Sequence, residues 1–282
     1  MDTALHPIWW WRNTVAEILS LPFMRNALIA GLAVSVAAAF IGSFVVARRM
    51  AFIGAGIAHS SFAGVVIGLL IGMDPLISAG IFASLTGLSI GFLSRNYRIE
   101  EESAVGVFFP FSMALGIILL GFIKGFTPDI MGYLFGDVLL VGKTEILLSI
   151  LTLVLVTFFF MIFFREMVYS TFDEETSRVL GIKVSLVYYL FLFLSSITIV
   201  VSIKVVGIIL LSGLLVIPPL SALQFARNMK SYVFLSVFFG ILSSAGGLFL
   251  SYWLDLPSGA TIISVSFFLL LAAGFIRRIF MR

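Results

Sequence analysis

Two histidines, no cysteine and 14 carboxylates are all that 282 residues offer to metal or nucleophilic chemistry. The lack of thiols excludes disulfides, iron–sulfur clusters, thiolate metal sites and a cysteine nucleophile. His6 and His59 cannot build a multi-histidine cage within one chain. His59 stands in the run AFIGAGIAHSSFAGVVIGLLIG (51–72), ten residues after Arg49. Ten helical residues rise ~15 Å, so the sequence predicts this side chain near the middle of a bilayer. Ionisable groups at that depth are costly and commonly mark an ion path. A neutral imidazole offers a nitrogen lone pair to a borderline-soft cation. The competing expectation is a structural histidine bonded to a carbonyl or serine of a neighbouring helix. Both stay open on the residues alone.

Gly56, Ser60, Gly64, Gly68 and Gly72 recur every fourth residue beside His59. Such a small-residue stripe lets helices approach closely. The span is therefore expected inside a bundle or beside its path, with Gly56, Ser60 and Ala63 lining it. Pro218 and Pro219 interrupt another apolar run, VVGIILLSGLLVIPPLSALQFAR (205–227). They are expected to kink or unwind that helix and free backbone carbonyls, at a path lining or at a purely structural bend. Few other charges fall inside apolar runs. Lys204, Glu145 and Asp137 sit near edges, with Asp137 expected as a polar group on the outer side. The scarcity of buried carboxylates argues against coupling to protons or sodium. It also argues against an intramembrane hydrolase, which needs a paired acid or an activated nucleophile.

The elements that must hold these residues are transmembrane helices. The chain is 61% hydrophobic and 11% charged, against roughly 45–50% and 25% in soluble domains. A globule this small could not bury that much apolar surface, so the fold expected is all-α and polytopic in a membrane. Runs long enough to cross a ~30 Å core number nine: Ala27–Ala47, Phe52–Gly72, Pro75–Ser94, Ser103–Ile123, Glu145–Phe164, Val184–Ile203, Val206–Ala226, Ser231–Leu254 and Gly259–Ile276. Merging two of them at Lys204 gives eight.

With the N-terminus outside, twelve basic residues fall on the cytoplasmic side: Arg48, Arg49, Arg95, Arg98, Arg165, Arg178, Lys183, Arg227, Lys230, Arg277, Arg278 and Arg282. Arg12, Arg25, Lys124, Lys143 and Lys204 fall outside. That bias predicts an outer N-terminus, a cytoplasmic C-terminus and an odd number of crossings. The net charge of +3 thus reflects orientation, and membrane lipid is the expected neighbour, with no nucleic acid. Residues 1–25, with Trp9, Trp10 and Trp11, read as a segment lying on the outer membrane surface or as a free tail. No secretory signal pattern precedes the first span. Thr127–Val141, broken by Pro128, Gly132 and Gly136, reads as a short outer helix or re-entrant piece.

The loop 165–183, REMVYSTFDEETSRVLGIK, is the longest expected on the cytoplasmic side. Thr171 and Glu174 have capping-box spacing. Asp173, Glu174 and Glu175 suit the positive end of a helix dipole, and Gly181 suits a stop. A short helix is expected from Phe172 to Leu180, with Phe172, Val179 and Leu180 as apolar points. An acidic face fits a protein partner better than the anionic inner leaflet, although a helix resting on the membrane is the other reading. Glu100, Glu101 and Glu102 read as a solvated helix start with no chemistry assigned.

Four pieces in this order resemble one family: RRMAFIGAGIAHSSFAGVVIG (48–68), MGYLFGDVL (131–139), FDEETSRVLGI (172–182) and VVGIILLSGLLVIPPLSA (205–222). The chain resembles the ZnuB-like permease subunits of ABC-type zinc/manganese importers, along nearly its whole length. The resemblance implies a type II ABC importer permease fold, forming one transmembrane permease domain over 1–282. It implies a homodimer with two cytoplasmic ATPase subunits and an extracytoplasmic metal-binding protein. ATP would be bound and hydrolysed on the partner, so this subunit would be no enzyme. It would hold no permanent cofactor and would pass Zn2+ or Mn2+. Phe172, Asp173, Glu174, Glu175, Val179 and Gly181 correspond to the family's coupling helix, and His59 to a transient ligand on the path. One position departs: relatives carry an aspartate one turn before the histidine, and here that residue is Ala55. A lone imidazole is a weak site and favours zinc over oxygen-preferring manganese. Two other functions stay open: a permease for a metal chelate of the siderophore or cobalamin kind, and a membrane scaffold or sensor without transport.

Overall fold

The computed structural model describes residues 20–123, 138 and 141–280. Asp137, Trp9–Trp11 and nearly all of the broken stretch at 127–141 lie outside the described residues. Among the described residues nine helices form, with no strand. They are α1 (Pro22–Ala47), α2 (Ile53–Ile71), α3 (Pro75–Tyr97), α4 (Glu101–Leu120) and α5 (Lys143–Phe172). They continue with α6 (Glu174–Val179), α7 (Val184–Ala222), α8 (Met229–Leu254) and α9 (Ser258–Phe280). All but α6 are long and apolar enough to cross a membrane. Among the described residues the first long helix begins at Pro22; residues 1–19 of the expected surface segment lie outside them.

Local chemistry explains the ends. Asp74 accepts from the backbone N–H groups of Leu76 and Ile77 at 2.9 and 3.1 Å, ahead of Pro75 in the first turn of α3. Asn228 does the same for Ser231 at 2.8 Å and starts α8. Such caps satisfy amides that a helix cannot satisfy internally. Inside the spans, serines return their hydroxyl protons to carbonyls, as Ser60 does to Gly56 at 2.8 Å and Ser243 to Phe239 at 2.7 Å. Two described serines instead donate across to a carbonyl of another helix: Ser35 to that of Gly240 and Ser78 to that of Gly64. The alanine-rich α1 lies at the centre, with α5, α7 and α8 packed around it.

The 39 residues of α7 comprise two helical halves that meet at Gly207, where the apolar pattern predicts two spans separated at Lys204. A straight helix of 39 residues would rise ~58 Å, twice a hydrocarbon core. It is not straight. Gly207 has φ 79° and ψ 165°, a region open essentially to glycine alone. The packing shows what this residue does. Phe191 faces the Phe44 ring at 6.5 Å, while Leu215 abuts Gly42, two residues from Phe44. Those 24 residues would separate Phe191 and Leu215 by ~36 Å in a straight helix. The chain therefore crosses, reverses at Gly207 and crosses back. Eight long helices make nine crossings, and the reversal lies three residues beyond Lys204.

The prolines do not unwind the returning half, which runs helically through Pro218 and Pro219 to Ala222. The expected break is at Gly207 instead. Pro219 does leave the Leu215 carbonyl without its usual amide donor. Gly42 of α1 packs directly on that oxygen, and a Cβ there would overlap it.

The nine crossings define two ends. One carries Arg48, Arg49, Arg95, Arg98, the helix α6 and Arg277, and is here the basic end. The opposite end carries the start of α5 and the Gly207 reversal. There Lys204 pairs with Glu145 at 2.9 Å.

Candidate functional site

Helix α2 presents two different faces. Its glycine stripe is a packing surface: Gly56 meets Val105 of α4, and Gly64 meets Ser78 and Ala79 of α3. Gly116 of α4 meets Phe62 and Ala63 in return. Gly56, Ser60 and Ala63 are consequently buried within the chain's own bundle. Ala55 and His59, one turn apart, lie on the neighbouring flank, which is partly open. The His59 ring rests 4.8 Å from the Phe109 ring of α4, tilted by 44°. Among the described residues no hydrogen bond fixes the imidazole, and no group of three or more histidine, aspartate or glutamate side chains gathers to hold a metal. Ala55 supplies no donor.

The depth of His59 differs from the simple rise. Residues 48–52 form a turn, and α2 begins only at Ile53. The side chain is thus ~9 Å along α2 from the basic end. It lies closer to that end than a helix counted from Arg49 would put it. Pro218 and Pro219 are buried in the returning half of α7. Leu215, one turn before them, also packs against Gly54 of α2. The two sequence features therefore meet at one helix contact near the basic end.

The short helix expected from Phe172 to Leu180 runs only over Glu174–Val179 and is capped differently than the spacing predicts. Asp173, and not Thr171, is the N-cap: its carboxylate accepts from the Thr176 amide at 2.9 Å and from the Thr176 hydroxyl. Those bonds, the hydroxyl first, hold Asp173 below the usual carboxylate range. Thr171 is still in α5, where its hydroxyl donates to Met167. Gly181 has φ +80° and turns the chain toward α7. Phe172, Val179 and Leu180 are exposed, Val179 by 87%. Glu175 is also exposed, so these residues form the free face of α6. Glu174 looks inward: it pairs with Arg95 at 2.8 Å and Arg178 at 3.6 Å.

Arg95 is the hub of a polar cluster that motif spacing did not single out. Its guanidinium lies 4.1 Å from the Tyr188 ring centroid, and it donates to Ser185 as well as Glu174. Tyr188 donates to Glu101 at the start of α4. Arg48 donates to Ser170 at 2.8 Å and Thr171 at 3.1 Å, and lies 5.5 Å from the same Tyr188 ring. The cluster ties α6 to the ends of α1, α3, α4, α5 and α7. A polar cavity of about 500 Å3 opens beside it, lined by Arg95, Arg98, Glu101, Glu174 and Arg178. Arg48 and Arg95 are visible in sequence only as basic residues near span ends, and Glu101 as part of an acidic helix start. Their partners are 79 to 123 residues away, beyond the reach of any local pattern.

The chain matches known proteins over nearly all of its length. The model of the ABC 3 transport family covers residues 20–277. The manganese transport system membrane protein MntC of Halalkalibacterium halodurans is 34% identical over 250 residues, covering 89% of this chain and 86% of that protein. The high-affinity zinc uptake system membrane protein ZnuB of Haemophilus influenzae is 29% identical, covering 89% and 96%. Among solved structures, a chain of PsaBC from Streptococcus pneumoniae in complex with Fab superposes with a TM-score of 0.82 at 30% identity, covering 95% and 99%. The shared helical architecture, the match along the whole chain and the resemblance in its four motifs agree: the protein belongs to the ABC 3 transport family.

Proposed function

We propose that this chain is the transmembrane subunit of an ATP-driven ABC importer that carries a divalent transition-metal ion into the cell, zinc ahead of manganese. What supports the transport class is membership of the family, with relatives named for manganese and zinc transport. What supports zinc is one observation at the site. The only metal-capable group on the open flank of α2 is an imidazole, with alanine one turn away. Nitrogen suits zinc, while manganese prefers oxygen.

The basic end faces the cytoplasm in this reading, which puts the start of α1 outside and the end of α9 inside. Two copies of the chain assemble, two ATPase subunits dock on the free face of α6, and an extracytoplasmic protein delivers the ion at the opposite end. ATP binding and hydrolysis move α6. Glu174 and Arg95 pass that movement to α3, and Tyr188 and Glu101 pass it to α4. Helix α4 carries Phe109, so its displacement changes access to His59. The imidazole gives the dehydrated ion a brief nitrogen contact and releases it. A weak site serves here, because conduction requires that the ion leave.

A chelate permease is the second reading. An ion that arrives already ligated needs no donor set, and none gathers among the described residues. Reconstitution with the cognate ATPase and binding protein separates the two. ATP-dependent uptake of free radioactive zinc, exceeding that of manganese, is the expected result. Flux of neither free ion would overturn the proposal, and flux only of a chelate would favour the second reading.

A further inference from the structure

Helices α5 and α8 both pack on α1 yet hardly touch one another. The gap between them is an open groove of about 430 Å3. Phe40 of α1 forms its floor, stacked on Phe160 at 5.6 Å. Met161 and Phe164 of α5 make one wall, and Val233, Phe234 and Val237 of α8 the other. The lining is almost wholly apolar except at one point, where Lys230 stands in the first turn of α8. Helical spacing puts Arg165 one turn beyond Met161 on the facing wall, toward the same end. Lys230 and Arg165 are both exposed, and neither is in an ion pair with a described residue.

Phe40 lies eight residues before Arg48, so the floor is ~12 Å inside the basic end. An apolar, aromatic-walled slot of one leaflet's depth fits an acyl chain. Two unneutralised cations at its mouth, beside the positive end of the α8 dipole, fit a phosphodiester. We propose that this groove is a binding site for an anionic phospholipid, with its headgroup phosphate between Arg165 and Lys230 and one acyl tail along Phe40 and Phe234. Charge complementarity selects this occupant: a zwitterionic lipid brings its own cation along with its phosphate and an apolar protein helix brings no anion, so either leaves net positive charge at the mouth. The site rests on the transmembrane fold alone and holds whether the transported species is a free metal ion or a chelate.

The test uses the full-length chain in nanodiscs made from an equal mixture of phosphatidylglycerol and phosphatidylcholine. Native mass spectrometry reads the lipid retained after release. Preferential retention of phosphatidylglycerol is expected, with the preference lost in the Arg165→Gln, Lys230→Gln double variant. That variant should keep the wild-type melting temperature in pure phosphatidylcholine, so loss of fold does not enter. Equal retention of both lipids by the wild type, or an unchanged preference in the variant, would overturn the site. The chain has no cysteine, so Val237→Cys introduces a single thiol. Efficient crosslinking of two such chains through it would show that a second copy covers the groove, and would overturn the proposal independently.

Discussion

The polar cluster around Arg95 and the flank around His59 are both near the basic end, and they treat charge in opposite ways. Around Arg95, two guanidinium groups, two carboxylates, a phenol and three hydroxyls satisfy one another. Around His59, one imidazole has an aromatic neighbour and, among the described residues, no hydrogen bond. A saturated network has one geometry and resists deformation. A single unsatisfied donor binds briefly and lets go. In the proposed importer, the first region suits transmission of displacement and the second suits a contact that releases its ion.

Removing the lone donor attacks this contrast most directly. His59→Ala should abolish metal flux while leaving assembly with the ATPase and ATP hydrolysis in place. Wild-type flux in that variant would take His59 off the path. Arg95→Gln should come next. It deletes a charge-assisted contact of about 1.5–3 kcal/mol, so metal moved per ATP hydrolysed should fall about tenfold with ATPase binding retained. The swap of Arg95→Glu with Glu174→Arg should restore part of it. Equal ratios in wild type and variant would make the cluster a clamp without a transmitting role.

Ala55→Asp sharpens the comparison from the other side. It sets an oxygen donor one turn from His59, so zinc affinity measured by competition with a chromogenic chelator should rise about tenfold or more. Manganese should gain more than zinc. No change in affinity would mean that the two positions do not face a common ion. Asp173 gives the smallest effect. Its carboxyl pKa is lowered in the folded state, so its capping contribution is complete above the unfolded value. It is lost as pH falls through the folded one. Hydrogen exchange at the Thr176 amide, corrected for intrinsic rates, should speed up at acid pH in the wild type and show no such dependence in Asp173→Asn.

The helices were legible because length and apolarity are properties of contiguous residues. The nine crossings follow from the same runs, and the odd parity agrees with the reversal at Gly207. Boundaries and caps were less legible. Thr171 and Asp173 both have capping chemistry within two residues, and only the continuation of α5 through Phe172 decides between them. The depth of His59 shifted because a turn at 48–52 does not rise like a helix. The prolines misled for a different reason: they remove donors without breaking a helix that is held on both sides, and Gly42 accommodates the carbonyl they free. The Arg95 cluster was invisible because its members meet only after α3, α4, α5 and α7 have assembled. For His59, the sequence could name the residue and its chemistry but not its ring contact with Phe109.

The reversal at Gly207 has a consequence for rotation. Two crossings joined through a single residue share one angular setting, with no slack between them. Inserting one residue after Gly207 would turn the returning half by about 100° and carry Leu215 away from both Gly42 and Gly54. Elsewhere in the bundle a loop can absorb such a change, but here every added atom becomes a twist at the helix contact that joins α1, α2 and α7.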